Sequence, residues 1–151
     1  MEKIEPETTV IFSGRFDPPH LGHVLTILKL CERFGRVIVP VLNYKEREFC
    51  NVLEAKSIFD GFFDIISPVN SISSRPEIVI NSVHFGEVTK EYYENLLKLY
   101  KVLPERCVYM SGNEFVLEHI TKLGFRTERA ARSMDHIYEG TKIRKYFELE
   151  N

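Results

Sequence analysis

The chain has 151 residues, 44% of them hydrophobic and 28% charged, with a formal net charge of −2. That length suits one ordinary domain, 1–151, and the balance is globular rather than disordered or fibrous. The charge lacks the basic field of sequence-independent nucleic-acid binding, and apolar runs such as 28–30 and 78–83 are too short for a bilayer, so neither nucleic acid nor membrane is an expected partner.

Residues 1–7 lack the basic region and apolar stretch of a signal peptide, which predicts a cytoplasmic protein. Residues 8–13 read as a buried strand. The Gly/Pro loop Gly14-Arg15-Phe16-Asp17-Pro18-Pro19-His20 feeds a helix over 21–34, with Leu21, Val24, Leu25, Leu28 and Cys31 as its inner stripe and Gly35 closing it. A second apolar strand covers 36–42, where Pro40 points to an edge or a bulge. A polar loop, 43–51, precedes a helix over 52–63, and 67–76 reads as another loop. Residues 77–85 form the third strand. Thr89 is an expected N-cap for a helix carrying Tyr92, Tyr93, Leu96, Leu97 and Tyr100, which Pro104 terminates. A strand over 106–110, a helix over 113–123 ending at Gly124, a short strand over 125–128 and a last helix starting near Gly140 complete the chain. Strands alternate with helices, and several strands are apolar on both faces. This predicts an α/β fold: a Rossmann-like parallel sheet of about five strands, helices on both faces, right-handed crossovers, and a ligand crevice at the carboxyl ends where strand order reverses. Cys31, Cys50 and Cys107 are odd in number and lack CxxC spacing, so they read as core or surface thiols rather than a disulfide framework or zinc knuckle.

Two segments carry chemistry. His20 and His23 lie on the first turn of the first helix, with Gly22 just before the second histidine, where unpaired backbone N–H groups and the positive dipole end favour an anion. Far along the chain, Glu139-Gly140-Thr141-Lys142-Ile143-Arg144-Lys145 offers a second anion site: Gly140 allows close approach, Thr141 a hydroxyl, Arg144 a fork of donors. A parallel sheet can bring both to one crevice, which would grip a polyphosphate from two sides. Taken alone, HxxH also suits a metal pair or two solvated histidines. Lys142 and Lys145 read as a solvated helix face; Lys45 and Arg47, on the loop after the second strand, suit surface and ligand roles equally. His84, His119 and His136 lack motif partners and read as structural, and Tyr92, Tyr93 and Tyr100 as packing residues. No GxxxxGK[ST] or GxGxxG is present, which argues against a P-loop NTPase and a dinucleotide-binding dehydrogenase.

His20-Leu21-Gly22-His23 and Gly140-Thr141-Lys142-Ile143-Arg144 together resemble the two signatures of the HxGH nucleotidyltransferase superfamily, which is cytidylyltransferase-like. The resemblance implies transfer of a nucleoside monophosphate from an NTP to a phosphorylated small-molecule acceptor, with magnesium and release of pyrophosphate. It implies that His20 and His23 contact the NTP phosphates in the transition state and that Gly22 lets the nucleotide lie close to the helix. Gly14, Arg15 and Phe16 would shape the loop around the α-phosphate, and Gly140, Thr141 and Arg144 would hold the β- and γ-phosphates. Ser111-Gly112-Asn113 is similar to the segment beside the base, and Lys45 and Arg47 would meet the acceptor's phosphate. Glu139 departs from the usual serine, and a carboxylate there repels a triphosphate unless it turns away or meets magnesium. The segment from Val108 to Arg144 looks like the archaeal-type nicotinamide mononucleotide adenylyltransferases, which favours ATP and an NAD-biosynthetic acceptor. The loop 16–20 is closer to bacterial adenylyltransferases for nicotinate mononucleotide or pantetheine phosphate, and polyol-phosphate cytidylyltransferases share a similar one. A CTP-dependent cytidylyltransferase and a non-catalytic nucleotide-binding module of the same fold therefore stand as alternatives, and a homo-oligomer stays open.

Overall fold

Each strand of this chain is flanked by helices on sequence grounds, and the computed structural model describes residues 8–43, 48–66, 75–84 (backbone only for 81–84) and 90–130. The strands are β1 (Thr9–Phe12), β2 (Arg36–Asn43), β3 (Glu77–His84), β4 (Cys107–Ser111) and β5 (Thr127–Arg129); the helices are α1 (Leu21–Arg33), α2 (Val52–Ile66), α3 (Lys90–Leu99) and α4 (Glu114–Lys122). All strands pair in parallel, in the order β3-β2-β1-β4-β5. The chain runs outward from β1 through β2 to β3, then returns to β4 on the other side of β1. That reversal puts the switch point between β1 and β4, at their carboxyl ends.

Period-2 alternation sends side chains to two separate cores. Val10, Phe12, Val39 and Met110 pack with Val24 and Ile27 of α1 and Phe59 and Phe63 of α2. Ile11, Ile38, Leu42 and Tyr109 pack on the opposite face with Tyr93 and Leu97 of α3 and Val116 and Ile120 of α4. Strands buried on both faces are why the segments read as continuous apolar runs. Among the described residues no helix is long and apolar enough to cross a membrane.

Several local expectations are corrected. The buried stripe of α1 is Gly22, Val24, Ile27, Leu30 and Cys31, whereas Leu21 is exposed and Leu25 and Leu28 are only half-buried. Gly35 is not a left-handed cap: α1 ends at Phe34, in extended conformation, whose N–H donates to the Leu30 carbonyl, and the Gly35 N–H donates to Thr8. Pro40 lies in an interior strand, not an edge. It falls where the β1–β2 ladder breaks, between the Ile11↔Ile38 pair and the Gly14↔Val41 bridge, so its missing N–H is tolerated there. The irregularity on the β3 side comes later, between Val41 and Asn43. α3 stops well before Pro104, which instead opens a 3₁₀ turn over Pro104–Arg106. α2 runs three residues further than expected, to Ile66. Thr89 and the expected helix near Gly140 lie outside the described residues.

Candidate functional site

The loop from Ser13 to His20 leaves the carboxyl end of β1, and Ser111-Gly112-Asn113 leaves the same end of β4. The register pairs Phe12 with Met110, so the two exits are neighbours. Ser13 is buried, and its Oγ accepts a hydrogen bond from the Tyr109 hydroxyl, which lies 3.0 Å from the Tyr93 hydroxyl. A row of hydroxyls from α3 through β4 thus ties the end of β1 to α3.

His20 is the N-cap of α1, with extended backbone at φ −139° and ψ 176°. The Gly22 N–H donates to His20 Nδ1 over 3.1 Å, and the His20 N–H donates to His23 Nδ1 over 3.1 Å. The two histidines therefore form a reciprocal capping box, a task usually given to serine and glutamate. Their rings stack 3.6 Å apart at 26°. A neutral imidazole that accepts at Nδ1 carries its proton at Nε2, so both side chains are fixed as Nε2–H donors. This revises one expectation: the Gly22 amide is engaged by the cap, so the donors that this turn can offer an anion include imidazole N–H groups, beyond backbone amides alone.

Phe16 orients the pair from beneath. Its ring meets His23 edge-on at 4.8 Å and Phe59 of α2 at 4.8 Å, and the residue is buried in a left-handed conformation, φ 47°. A bulky residue holds that conformation only where its surroundings over-determine it. Gly14 makes the arrangement sterically open, because a Cβ there would stand 2.7 Å from Phe16 Cζ. Its own polar groups belong to the sheet, its N–H donating to Pro40 and its carbonyl accepting from Leu42.

The sequence reading overlooked Asp17. This carboxylate is buried, and it accepts from the N–H groups of Glu48 (2.7 Å), Phe49 (2.9 Å) and Cys50 (2.9 Å), with Arg15 Nη2 at 3.5 Å. Nothing in the spacing of an aspartate before Pro-Pro reveals that its partners are amides thirty residues on. The Cys50 Sγ, 3.6 Å from the Phe16 carbonyl, adds a second tie between the same segments.

Of the residues singled out from sequence, Gly14, Arg15, Phe16, His20, Gly22 and His23 thus lie on the segment that leaves β1, and Ser111, Gly112 and Asn113 at the neighbouring carboxyl end of β4. Arg15 turns its guanidinium to Asp17, and Phe16 serves as packing. Ser111 is buried, its Oγ accepting from the Asn113 N–H; Asn113 caps α4, its Oδ1 accepting from the N–H groups of Phe115 and Val116. Lys45, Arg47, His136, Glu139, Gly140, Thr141, Lys142, Arg144 and Lys145 lie outside the described residues, as does the side chain of His84. His119 is half-buried within α4, and Tyr93 is core. The three cysteines are buried thiols not joined in disulfides; burial pushes the Cys31 thiol, with Glu32 adding to the effect, up to about 11, and that of Cys107 up to about 12.

Among the described residues no group of three or more His, Cys, Asp or Glu is arranged to hold a metal ion. The single carboxylate of the loop, Asp17, is spent on backbone amides.

Residues 11–51 match the family described as Cytidylyltransferase-like. Nicotinamide-nucleotide adenylyltransferase 1 of Sulfolobus acidocaldarius is 24% identical over 157 residues, which span 93% of this chain and 78% of that protein. Nicotinamide-nucleotide adenylyltransferase of Sulfurisphaera tokodaii is 26% identical over 147 residues, spanning 93% of this chain and 79% of that protein. With the parallel sheet, the switch point and the histidine-capped helix that follows β1, the chain is thus similar to the cytidylyltransferase-like nucleotidyltransferases over 11–51 and to two nicotinamide-nucleotide adenylyltransferases over most of its length.

Proposed function

We propose that the protein transfers AMP from ATP to a phosphorylated nucleotide acceptor, nicotinamide mononucleotide first among them, releasing pyrophosphate. The observation that carries the reading is the capping box of His20 and His23: two imidazoles held by backbone as Nε2–H donors on the helix that leaves the switch point. An acceptor phosphate oxygen attacks the α-phosphorus, the bond from that phosphorus to the bridging oxygen breaks, and the electron pair leaves on pyrophosphate. No covalent enzyme intermediate is needed. Rate then comes from positioning and from donors already aimed at the developing charge. In this reading His20 and His23 supply those donors on one side, and Gly140, Thr141 and Arg144 hold the β- and γ-phosphates on the other. Lys45 and Arg47 receive the acceptor's phosphate. Magnesium enters with the triphosphate, in keeping with its habit of riding on substrate phosphates with few protein ligands.

The names of the two relatives support the adenylyl donor and the acceptor. The family match over 11–51 favours a second reading, CTP as donor and a polyol or sugar phosphate as acceptor. Purified protein assayed for pyrophosphate, with ATP and CTP each crossed with nicotinamide mononucleotide, nicotinate mononucleotide, pantetheine phosphate and glycerol phosphate, separates them. Turnover with ATP and nicotinamide mononucleotide is expected. Turnover with CTP alone selects the second reading, and silence across the grid removes both.

A further inference from the structure

Besides its contact with Arg15, Asp17 holds the loop bearing His20 and His23 to a distant segment. Its carboxylate, 0% exposed, receives the amides of Glu48, Phe49 and Cys50. Cys50 is followed by Asn51, which opens α2 through its own reciprocal pair: the Glu54 N–H donates to Asn51 Oδ1 at 2.8 Å, and the Asn51 N–H to Glu54 Oε1 at 3.1 Å. α2 in turn carries Phe59, against which Phe16 packs, and Phe16 supports His23. The start of α2, the Phe16 ring and the stacked imidazoles therefore form one mechanical chain, closed by Asp17. A carboxylate accepting several backbone N–H groups in a buried place has no uncharged equivalent: an amide of the same shape turns an NH₂ toward donors.

We propose that Asp17 is a positioning residue for nucleotidyl transfer, clamping the 48–50 backbone so that Phe16 and the two histidines stay in register with the reacting phosphate. This rests on the function proposed above. Releasing the clamp lets the histidines drift although no chemistry-bearing group is removed, and a misplacement near 1 Å costs on the order of 10²-fold in rate. The contacts affected are those that matter most in the transition state, so kcat falls while the KM for NTP moves little.

The test is Asp17→Asn, read in two ways. Steady-state pyrophosphate release should show kcat lowered by roughly 10²-fold with the NTP KM within about threefold of wild type. Alkylation by iodoacetamide at pH 8, located by peptide mass, should show Cys50 labelled at least about tenfold faster than in wild type, while Cys31 and Cys107, in the two cores, stay unlabelled. A Cys50→Ala companion identifies the labelled peptide. An unchanged kcat, or a lowered kcat with Cys50 as slow as in wild type, overturns the proposal. A clamp that is structural only lowers the melting temperature without the kcat effect, and counts against it. If Asp17→Asn does not fold, hydrogen exchange of the wild-type protein decides: Phe49 and Cys50 amides slowed at least about 10²-fold relative to an open loop support the clamp, and open-loop rates refute it. A wild-type protein without turnover on any pair overturns the functional reading and the positioning role with it, whereas an active wild type beside a fully active Asp17→Asn overturns the positioning role alone.

Discussion

His20 carries two burdens that substitution can separate. Its Nδ1 caps α1, and its Nε2 is the donor that the proposed chemistry needs. Asparagine is among the best N-caps and offers Oδ1 where Nδ1 stood, but it has no donor at the reach of Nε2. His20→Asn should therefore melt within a degree or two of wild type and lose about 10²-fold or more in kcat, the scale for deleting one preorganised donor. His20→Ala loses the same rate and also about 1 kcal/mol of stability, from the vacated cap. Thermal melting and pyrophosphate release measured on both variants check the pair. Equal melting temperatures for the two would mean that the cap is worth nothing, and an active His20→Asn that the imidazole is only a cap.

Helix ends show how far pattern reading reaches at the next scale up. α4 closes as expected at Gly124, with φ 95°; the Phe125 N–H donates to Ile120 and the Gly124 N–H to Thr121. This is the doubled hydrogen-bond closure that favours glycine. α3 closes in the same way, the Val102 N–H donating to Leu97 and the Lys101 N–H to Lys98, but the left-handed position is Lys101, φ 57°. Left-handed backbone costs a residue with a Cβ about 1 kcal/mol or more, partly offset by the entropy that glycine loses on folding. Lys101→Gly should accordingly gain roughly 0.5 kcal/mol and Gly124→Ala lose about 1 kcal/mol, both read by urea unfolding. An unstable Lys101→Gly would show that the lysine side chain outweighs its backbone. Glycine announces such a turn and lysine does not, which is why Pro104 was the visible stop signal and the wrong one. The inner face of α1 was hidden for a different reason: Leu21, Val24, Leu25, Ile27, Leu28 and Leu30 are all apolar, so periodicity alone could not choose between rotations, and the docking of His23 on Phe16 does. Strands and their order of alternation with helices were legible because burial on both faces leaves long apolar runs. The histidine pair was legible as a motif, but its capping role and Asp17's amide partners depend on contacts between segments that no local pattern encodes.

Each of the molecule's two layers holds a thiol whose protonation burial shifts, and this makes cooperativity testable through pH. Cys31 lies in the layer formed with α1 and α2, Cys107 in that formed with α3 and α4. Burial raises both from an ordinary 9.0, Cys31 to about 11 and Cys107 to about 12. A raised thiol means that the folded chain keeps protons which the unfolded chain has already released. Below about 9 both states are protonated and the stabilisation is complete; from there to about 11 or 12 the unfolded state binds fewer protons, so stability falls as pH rises. Urea unfolding at pH 8.5 and at pH 10.5 should thus show lower stability at the higher value, and the difference should shrink in both Cys31→Ala and Cys107→Ala. Subtracting each variant's pH difference from that of the wild type removes the contributions that the two chains share. If 1–151 is one cooperative domain, either substitution moves a single shared transition, whichever layer holds the thiol. Two transitions, each answering to only one of the cysteines, would instead mean that the faces of the sheet unfold apart and that the site between β1 and β4 is built on a seam.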